Sequence, residues 1–206
     1  MKMNVGIVGC GNISGIYCRR INELPNLELR ACADLDHAKA VACAEQHQIP
    51  EVLTPAQLLA HPEIDIVVNL TVPAAHYAVA HEALRNRKHV YNEKPLAGTL
   101  PEGKELVKLA RAQRRLLGGA PDTFLGGGLQ TCRKLVDDGW IGRPLAATAF
   151  MAGPGMERWH PNPDFFFKPG AGPMFDMGPY YLTALVSMLG PARRVCAINK
   201  IGIPER

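Results

Sequence analysis

NVGIVGCGNIS, residues 4–14, joins an apolar strand-like run to a glycine-rich turn. The run leads into Gly9-x-Gly11-x-x-Ser14, and a helical pattern follows over 12–24. In such a turn the first glycine allows a tight bend, the second lets the backbone approach a pyrophosphate, and a small third residue lets helix and strand pack closely. This context predicts a dinucleotide-binding turn, with a turn that holds no ligand as the alternative. The predicted contacts are Gly9, Gly11, Asn12 and Ile13.

The choice between NAD and NADP depends on Asp34, which ends the next strand-like run, residues 27–33. A carboxylate at this point accepts a hydrogen bond from the adenosine ribose 2′-OH and repels a 2′-phosphate. No arginine follows it directly, because the next residues are Leu35 and Asp36. We therefore expect NAD as the cofactor, in preference to NADP. A helix-capping role for Asp34 is the alternative.

Strand-like and helix-like segments alternate over the first 120 residues. This order predicts an α/β fold, a doubly wound parallel sheet of the Rossmann type covered by helices, with residues 1–120 as the NAD-binding domain. Capping boxes at Thr54 and Thr99 mark two of the helix starts. The predicted strands cover 4–8, 27–33, 64–70, 89–92 and 116–120, and the predicted helices cover 12–24, 37–47, 55–60, 74–87 and 100–114.

The pattern changes after Pro121. We expect a helix to about Asp138, a strand over 145–151, a long Gly- and Pro-rich loop over 152–173, a helix over 175–189 and a strand over 194–201. One or two strands with two helices do not make an independently stable sheet domain. Residues 121–206 are therefore predicted to be the first part of a second domain, and either the chain is a fragment or another chain completes the sheet.

Glu93-Lys94-Pro95 places a charged pair directly after the strand-like run 89–92. In open α/β sheets the carboxyl ends of the strands form the ligand-binding edge. A lysine held there can exchange a proton with a substrate oxygen if its pKa lies near neutrality. Thr71-Val72-Pro73 ends the preceding strand and His76 begins the helix after it, so Thr71, Pro73, His76, Glu93 and Lys94 are predicted to line the nicotinamide half of the cleft. The alternatives are an ordinary exposed lysine and a histidine bonded to nearby backbone.

Composition excludes several classes of protein. The net charge is +4 with scattered basic residues, which disfavours nucleic-acid binding. The six cysteines contain no C-x-x-C pair and fit no zinc template, so no metal site is predicted, and they favour a reducing, cytoplasmic location. No signal peptide or apolar run of membrane-spanning length is present in the 206 residues, so no membrane partner is expected.

Taken together, these motifs resemble the Gfo/Idh/MocA oxidoreductases, the glucose-fructose oxidoreductase and inositol dehydrogenase group. The resemblance covers the whole chain but only the first part of the family's length. The glycine turn alone is weak evidence, whereas its combination with Glu-Lys-Pro and a downstream Asp-x-Gly is strong. The matching residues are the turn at 9–14, Asp34, Thr71-Val72-Pro73-Ala74-Ala75-His76, Glu93-Lys94-Pro95 and the segment 170–180 (GAGPMFDMGPY).

The resemblance implies a Rossmann domain followed by an α/β domain whose open sheet is used for homo-oligomerisation. It also implies a dehydrogenase that uses NAD(P) to oxidise or reduce a CH–OH group of a sugar, polyol or related small molecule. Carried over, Lys94 touches the reacting hydroxyl, Asp176 assists it, Glu93 helps to hold the nicotinamide ribose, and the Lys94–Pro95 bond is often cis.

Tyr180 departs from the family pattern, because many members have a histidine base four residues after the aspartate. A tyrosine, with an ordinary pKa near 10, replaces that base only if a cation lowers its pKa. Lys94 could supply the cation, or Lys94 could itself be the base with Tyr180 as a hydrogen-bond donor. The sequence leaves both open, together with the alternative that Tyr180 is a packed aromatic of the predicted helix over 175–189.

Three further residues are candidate substrate contacts. Asp122 follows the last Rossmann strand, and Trp159 and His160 lie in the long loop, where a Trp face could stack on a sugar ring. Packing of the loop on the domain junction is the alternative. Two other functions remain open for the whole chain: an enzyme that cleaves glycosides through transient NAD oxidation, and a non-catalytic sensor of NAD or sugar.

Overall fold

The computed structural model describes residues 2–158, 160–168 and 171–203. Its first compact unit comprises 1–122 and 151–179. Within it a six-stranded parallel sheet has the order β3-β2-β1-β4-β5-β6. The strands are β1 (Met3–Val8), β2 (Leu27–Ala33), β3 (Glu51–Leu53), β4 (Ile66–Asn69), β5 (His89–Asn92) and β6 (Leu117–Gly119). The order reverses between β1 and β4, so the predicted doubly wound Rossmann fold is confirmed.

The helices of this unit cover both faces of the sheet. They are α1 (Ser14–Glu23), α2 (His37–His47), α3 (Pro55–Ala60), α4 (His76–Arg85), α5 (Leu100–Gln113) and the short α7 (Pro173–Asp176). The buried residues form two hydrophobic cores, and alternate residues of β1 pack into one or the other. Ile7 packs with residues of α1 and α2, and Val8 packs with residues of α3, α4 and α5. This is the period of two expected of a strand that is buried on both faces.

Local sequence signals set several of the helix starts. The predicted capping boxes are present, with Thr54 and Thr99 each accepting a hydrogen bond from the backbone three residues on. The Asp36 carboxylate accepts from the backbone N–H of Ala38 and caps α2. These caps satisfy N–H groups that the first turn of a helix leaves unpaired.

The second compact unit comprises 123–150 and 180–206. It contains α6 (Gly127–Asp137) and most of α8 (Gly178–Leu189). The predicted strands over 145–151 and 194–201 are wrong for this structure, since neither segment pairs with a strand among the described residues. A strand needs a hydrogen-bonded neighbour, and the apolar side chains of both segments are exposed, including Leu145, Phe150, Val195 and Ile198.

Two further details of the prediction need correction. The helix expected over 175–189 is divided into α7 and α8 by a turn at Met177. The strand β3 was missed, because three residues next to Pro50 are too few to show a periodic pattern. The compact units are discontinuous in sequence, because 151–179 packs with the sheet unit through contacts such as the Asp176–Lys94 ion pair. The domain boundary at 120 stays a prediction. No helix in the described ranges has the length and apolarity needed to cross a membrane.

Candidate functional site

The glycine turn after β1 requires glycine at its first position. Gly9 has φ +101°, and a Cβ there would lie 2.7 Å from the carbonyl carbon and oxygen of Leu70. A left-handed residue in backbone contact with the neighbouring loop has no room for a side chain. At Gly11, by contrast, a Cβ would meet nothing within 4 Å. Gly11 therefore leaves an open approach to its backbone, as a pyrophosphate requires.

Beside the turn, the N-terminus of α1 faces a cavity of about 410 Å³. Ile13 caps this helix without any side-chain hydrogen bond, and Asn12 and Ile13 are exposed. Ser14 is buried and donates to the carbonyl of Gly11 at 2.8 Å, which fixes the turn. Free N–H groups and the positive end of a helix dipole make this position suited to phosphate. The cavity lining also includes Arg19, Lys39 and His47.

Asp34 stands at the end of β2 and is tied to the glycine turn. One carboxylate oxygen accepts from the backbone N–H of Cys10 at 2.7 Å, and the other accepts from the backbone N–H of Asp36 at 2.9 Å. Asp34 is half-buried, so it can accept a further hydrogen bond from a ligand. The helix cap proposed as an alternative belongs to Asp36 instead.

The edge formed by the ends of β4 and β5 is held by two asparagines that sequence reasoning missed. Asn69 and Asn92 are fully buried, and the Asn69 amide donates to the Asn92 side-chain oxygen at 2.6 Å. Asn69 Oδ1 accepts from the Thr71 hydroxyl at 2.7 Å, and the Asn92 amide donates to the carbonyl of Leu96 at 2.8 Å. The sequence carries a signal for them, since an asparagine interrupts or ends each of these strand-like apolar runs.

His76 braces the two loops that leave this edge. It is 1% exposed, and its ring nitrogens contact the carbonyls of Pro95 at 2.6 Å and Thr71 at 2.8 Å. Pro73 begins a one-turn 3₁₀ helix, Pro73–Ala75, immediately before it. These contacts favour the alternative in which His76 is bonded to nearby backbone, so its role is to hold the loops that carry Thr71 and Lys94.

Glu93 is fixed by a residue of α1 that the sequence did not single out. The Tyr17 hydroxyl donates to Glu93 Oε1 at 2.9 Å, and the backbone N–H of Lys94 donates to Oε2 at 2.7 Å. Burial, followed by the charge of Glu93, raises the pKa of Tyr17 well above its ordinary value. The hydroxyl therefore remains a donor at neutral pH, and it links the glycine-turn helix to the Glu-Lys-Pro loop.

Lys94 and Asp176, 82 residues apart in the chain, form an ion pair. Their side chains are 19% and 9% exposed, so the pair is largely shielded from water. The Lys94–Pro95 peptide bond is cis, as the resemblance implies. Because β1 and β5 are parallel, this pair and the glycine turn lie at the same edge of the sheet.

The remaining predicted site residues are more dispersed. Asp122 is exposed and accepts from the Tyr91 hydroxyl at 3.4 Å. The His160 ring packs edge-on against the rings of Phe165 and Phe166, with distances between ring centroids of 5.3 and 5.2 Å. Trp159 lies outside the described residues. Tyr180 lies in α8 and belongs to the second compact unit, so the structure leaves its predicted partnership with Asp176 untested.

Two family models match the chain. Residues 3–119 match the GFO_IDH_MocA model, described as an oxidoreductase family with an NAD-binding Rossmann fold. Residues 129–205 match the model of the GFO/IDH/MocA C-terminal domain. The chain belongs to the Gfo/Idh/MocA family. The resemblance inferred from the glycine turn, Glu-Lys-Pro and Asp-x-Gly is thus confirmed.

Two curated relatives are similar to this chain over most of its length. The chain is 31% identical to dTDP-3,4-didehydro-2,6-dideoxy-alpha-D-glucose 3-reductase of Saccharopolyspora spinosa over 92% of its own length and 57% of the relative's. It is 29% identical to the inositol 2-dehydrogenase/D-chiro-inositol 3-dehydrogenase of Lacticaseibacillus casei, over 79% and 48%. The chain spans about half the length of the curated relatives it matches.

A solved Gfo/Idh/MocA structure agrees with the fold. The myo-inositol dehydrogenase of Lactobacillus casei, in complex with NAD(H) and myo-inositol, superposes with a TM-score of 0.66 at 30% identity. The match covers 70% of this chain and 44% of that one.

Proposed function

We propose that this chain is the cofactor-binding part of an NAD-dependent dehydrogenase that acts on a CH–OH group of a sugar, polyol or related hydroxy compound. The observation that carries the proposal is the shielded Lys94–Asp176 ion pair at the edge of the sheet where the glycine turn also lies. Such an edge brings a proton-exchanging group near a dinucleotide.

The residues present fit a dinucleotide. The fully open approach at Gly11, the uncapped N-terminus of α1 and the Asp34 carboxylate provide for pyrophosphate and ribose. Thr71, Glu93 and the loop at Pro73 would hold the nicotinamide end, and Asn12 and Ile13 would contact the phosphates. Because an acidic side chain stands at position 34, we propose NAD rather than NADP. The bound cofactor supplies hydride chemistry.

Lys94 would exchange the substrate's hydroxyl proton. In the reductive direction the Lys94 ammonium donates a proton to the carbonyl oxygen as it becomes a hydroxyl. In the oxidative direction the ammonium first loses a proton to solvent, and the resulting amine accepts the hydroxyl proton as the carbonyl forms. Asp176 holds the Lys94 amine in place by a charge-assisted hydrogen bond. Tyr180 is proposed to orient the substrate or to share the proton, and Asp122, Trp159 and His160 are proposed substrate contacts.

Two further proposals concern the oligomeric state of the protein and its location in the cell. We propose a homo-oligomer formed through the sheet of the second domain and a cytoplasmic location. The named relatives act on inositols or nucleotide-linked sugars, which supports a polyhydroxylated substrate for this protein.

The test has two stages. Binding of NAD and NADP is first measured by calorimetry, with NAD expected to bind more tightly. A panel of inositols, sugars and hydroxy acids is then screened for NADH formation, with Lys94→Met as the inactive control and Lys104→Met, an exposed lysine of α5, as the matched active control. Absence of NAD binding at millimolar concentration would sink the proposal.

The two other functions leave different signatures in the same assays. An enzyme that cleaves glycosides through transient oxidation releases the free sugar from a glycoside with no net NADH. A sensor binds NAD and turns over nothing, and its Lys94→Met variant keeps full biological function. The ion pair at Lys94 weighs against the sensor, since a binding protein has no need of a proton-exchanging lysine in its cleft.

A further inference from the structure

Four of the six cysteines are gathered beneath the glycine turn. Cys10 lies in the turn, Cys18 in α1, Cys32 in β2 and Cys43 in α2, and all four are buried. The sulfur atoms of Cys10, Cys32 and Cys43 all lie within 4.8 Å of one another, and the Cys18 sulfur lies 3.9 Å from that of Cys43. Spacing along the chain could not reveal this group, because its members come from four different elements.

The sulfur triangle is close to the size that a metal ion demands. A Zn²⁺–S bond is about 2.3 Å, so the sulfurs of a tetrahedral or trigonal site stand roughly 3.8–4.0 Å apart. A triangle with sides of at most 4.8 Å contracts to that size through movements of less than about 1 Å. A fourth donor is at hand in Cys18, or in the Ser14 hydroxyl, which lies 4.0 Å from the Cys43 sulfur.

These cysteines are unlike reactive thiols. Hydrogen bonding with Cys32, followed by burial, raises the pKa of Cys10. Burial raises the pKa of Cys18 to about 12 and also raises that of Cys43. An ion that binds to thiols displaces their protons, so its affinity rises with pH.

We propose that Cys10, Cys32 and Cys43 form a buried three-thiolate site for a thiophilic d¹⁰ cation, with Zn²⁺ as the reference ion. Soft thiolates select such ions over Mg²⁺ or Ca²⁺. Each thiol that binds loses its proton to solvent, and no electron is transferred.

The site is coupled to the cofactor turn through Cys10. Its backbone N–H donates to Asp34, while its thiol belongs to the sulfur triangle. Contraction of the sulfurs around an ion would displace Cys10 and with it the turn that binds the pyrophosphate. We therefore expect the ion to weaken NAD binding about 10-fold, an inference that rests on the proposed cofactor.

Cadmium binding to the 206-residue chain tests the site directly. The double variant Cys132→Ser/Cys196→Ser removes the two exposed thiols and is titrated with Cd²⁺ under a phosphine reductant. We expect one ion per chain with a thiolate-to-cadmium charge-transfer band of three-thiolate intensity. In this background Cys43→Ala and Cys32→Ala each weaken binding by more than the roughly 10–100-fold that loss of an outer-shell partner costs.

The outcomes separate the two parts of the inference. No charge-transfer band in the double variant, or equal affinity after either alanine substitution, overturns the site and leaves the cysteines as packed small side chains. Circular dichroism identifies an alanine variant that fails to fold, and the band intensity of the double variant then decides alone. Unchanged NAD affinity in the cadmium-loaded chain overturns the coupling, and absence of NAD binding without cadmium overturns the cofactor proposal while leaving the metal result intact.

Discussion

The ammonium of Lys94 donates a hydrogen bond to the carboxylate of Asp176, across 82 residues of sequence and within one compact unit. Lys94 leaves β5 in a loop held by Glu93, while Asp176 ends α7. Both side chains are mostly buried. Because the pair is shielded from water, removal of either partner would leave the charge of the other uncompensated.

The first prediction concerns the charge of this pair. Lys94→Met removes the proton-exchanging group, so kcat should fall by about 10²–10⁴-fold. The NAD dissociation constant should change far less, because the proposed phosphate and adenosine contacts are made by Gly11, Asn12, Ile13 and Asp34 and not by Lys94. Steady-state kinetics and calorimetric NAD binding measure the two effects.

Asp176→Asn is the companion change, since it keeps the shape and removes the negative charge. If Asp176 acts by holding Lys94, kcat falls and the pH profile of kcat shifts while KM changes little. Equal activity of Lys94→Met and the exposed-lysine control Lys104→Met would contradict the proposed role of Lys94.

The second prediction uses the contrast between the two glycines of the turn. Gly9→Ala puts a Cβ against the Leu70 backbone at a φ of +101°, so stability should fall by at least about 1–3 kcal/mol from backbone strain alone. Gly11→Ala meets no neighbour within 4 Å and should unfold at the same urea concentration as the native chain. It should nevertheless bind NAD more weakly, because its methyl group occupies the approach to the pyrophosphate. Equal stability of the two variants would contradict the conclusion that Gly9 has no room for a side chain.

How far the sequence alone reaches is clear from these same residues. The positions of Gly9, Gly11, Asp34 and Lys94 at the carboxyl ends of the strands were predictable, because the motif, the strand before it and the acid after the next strand are local patterns whose geometry is shared by parallel sheets. Their roles in binding and catalysis stay predictions. The capping boxes at Thr54 and Thr99 were equally local, and helix starts followed from them.

The rest depends on contacts between distant segments. Tyr17 gave no signal, because only the packing of α1 beside β5 brings its hydroxyl to Glu93. The cluster formed by the thiols of Cys10, Cys32 and Cys43 brings together three separate parts of the fold, and the spacing of these cysteines in the sequence gives no indication of it. The strands predicted over 145–151 and 194–201 are wrong because an apolar segment forms a strand only where a partner strand is present, and the pattern of the segment itself does not show whether there is one.

The third prediction addresses cofactor choice. Asp34→Ser removes the carboxylate that would repel a 2′-phosphate, so the preference for NAD over NADP should fall. Loss of a hydrogen bond to a charged group is worth about 1.5–3 kcal/mol, or roughly 10–100-fold in NAD affinity. Calorimetry with both dinucleotides measures the ratio. Asp36→Ser, which keeps a capping oxygen on α2, is the matched control and should leave the ratio unchanged. A preserved preference in Asp34→Ser would remove Asp34 from the specificity argument.

The fourth prediction follows from the raised pKa of Tyr17. An unfolded tyrosine loses its proton near pH 10, whereas folded Tyr17 keeps it. Above that pH the folded state therefore binds more protons than the unfolded state, and stability falls as pH rises. Tyr17→Phe lacks this titration. Its free energy of unfolding should be about 1–3 kcal/mol below that of the native chain at neutral pH, from the lost hydrogen bond to Glu93.

The gap between the two proteins should then narrow as the pH is raised from about 9 to about 11. Urea unfolding at each pH measures it. Glu93→Gln is the matched variant, since it keeps an acceptor for the Tyr17 hydroxyl but removes the negative charge. It should show a smaller loss of stability at high pH than the native chain, because burial is then the main remaining cause of the raised pKa. A constant gap between native chain and Tyr17→Phe over this range would show that Tyr17 ionises equally in the folded and unfolded states, and a widening gap would show that its pKa is lower in the folded state. Either outcome would contradict the prediction.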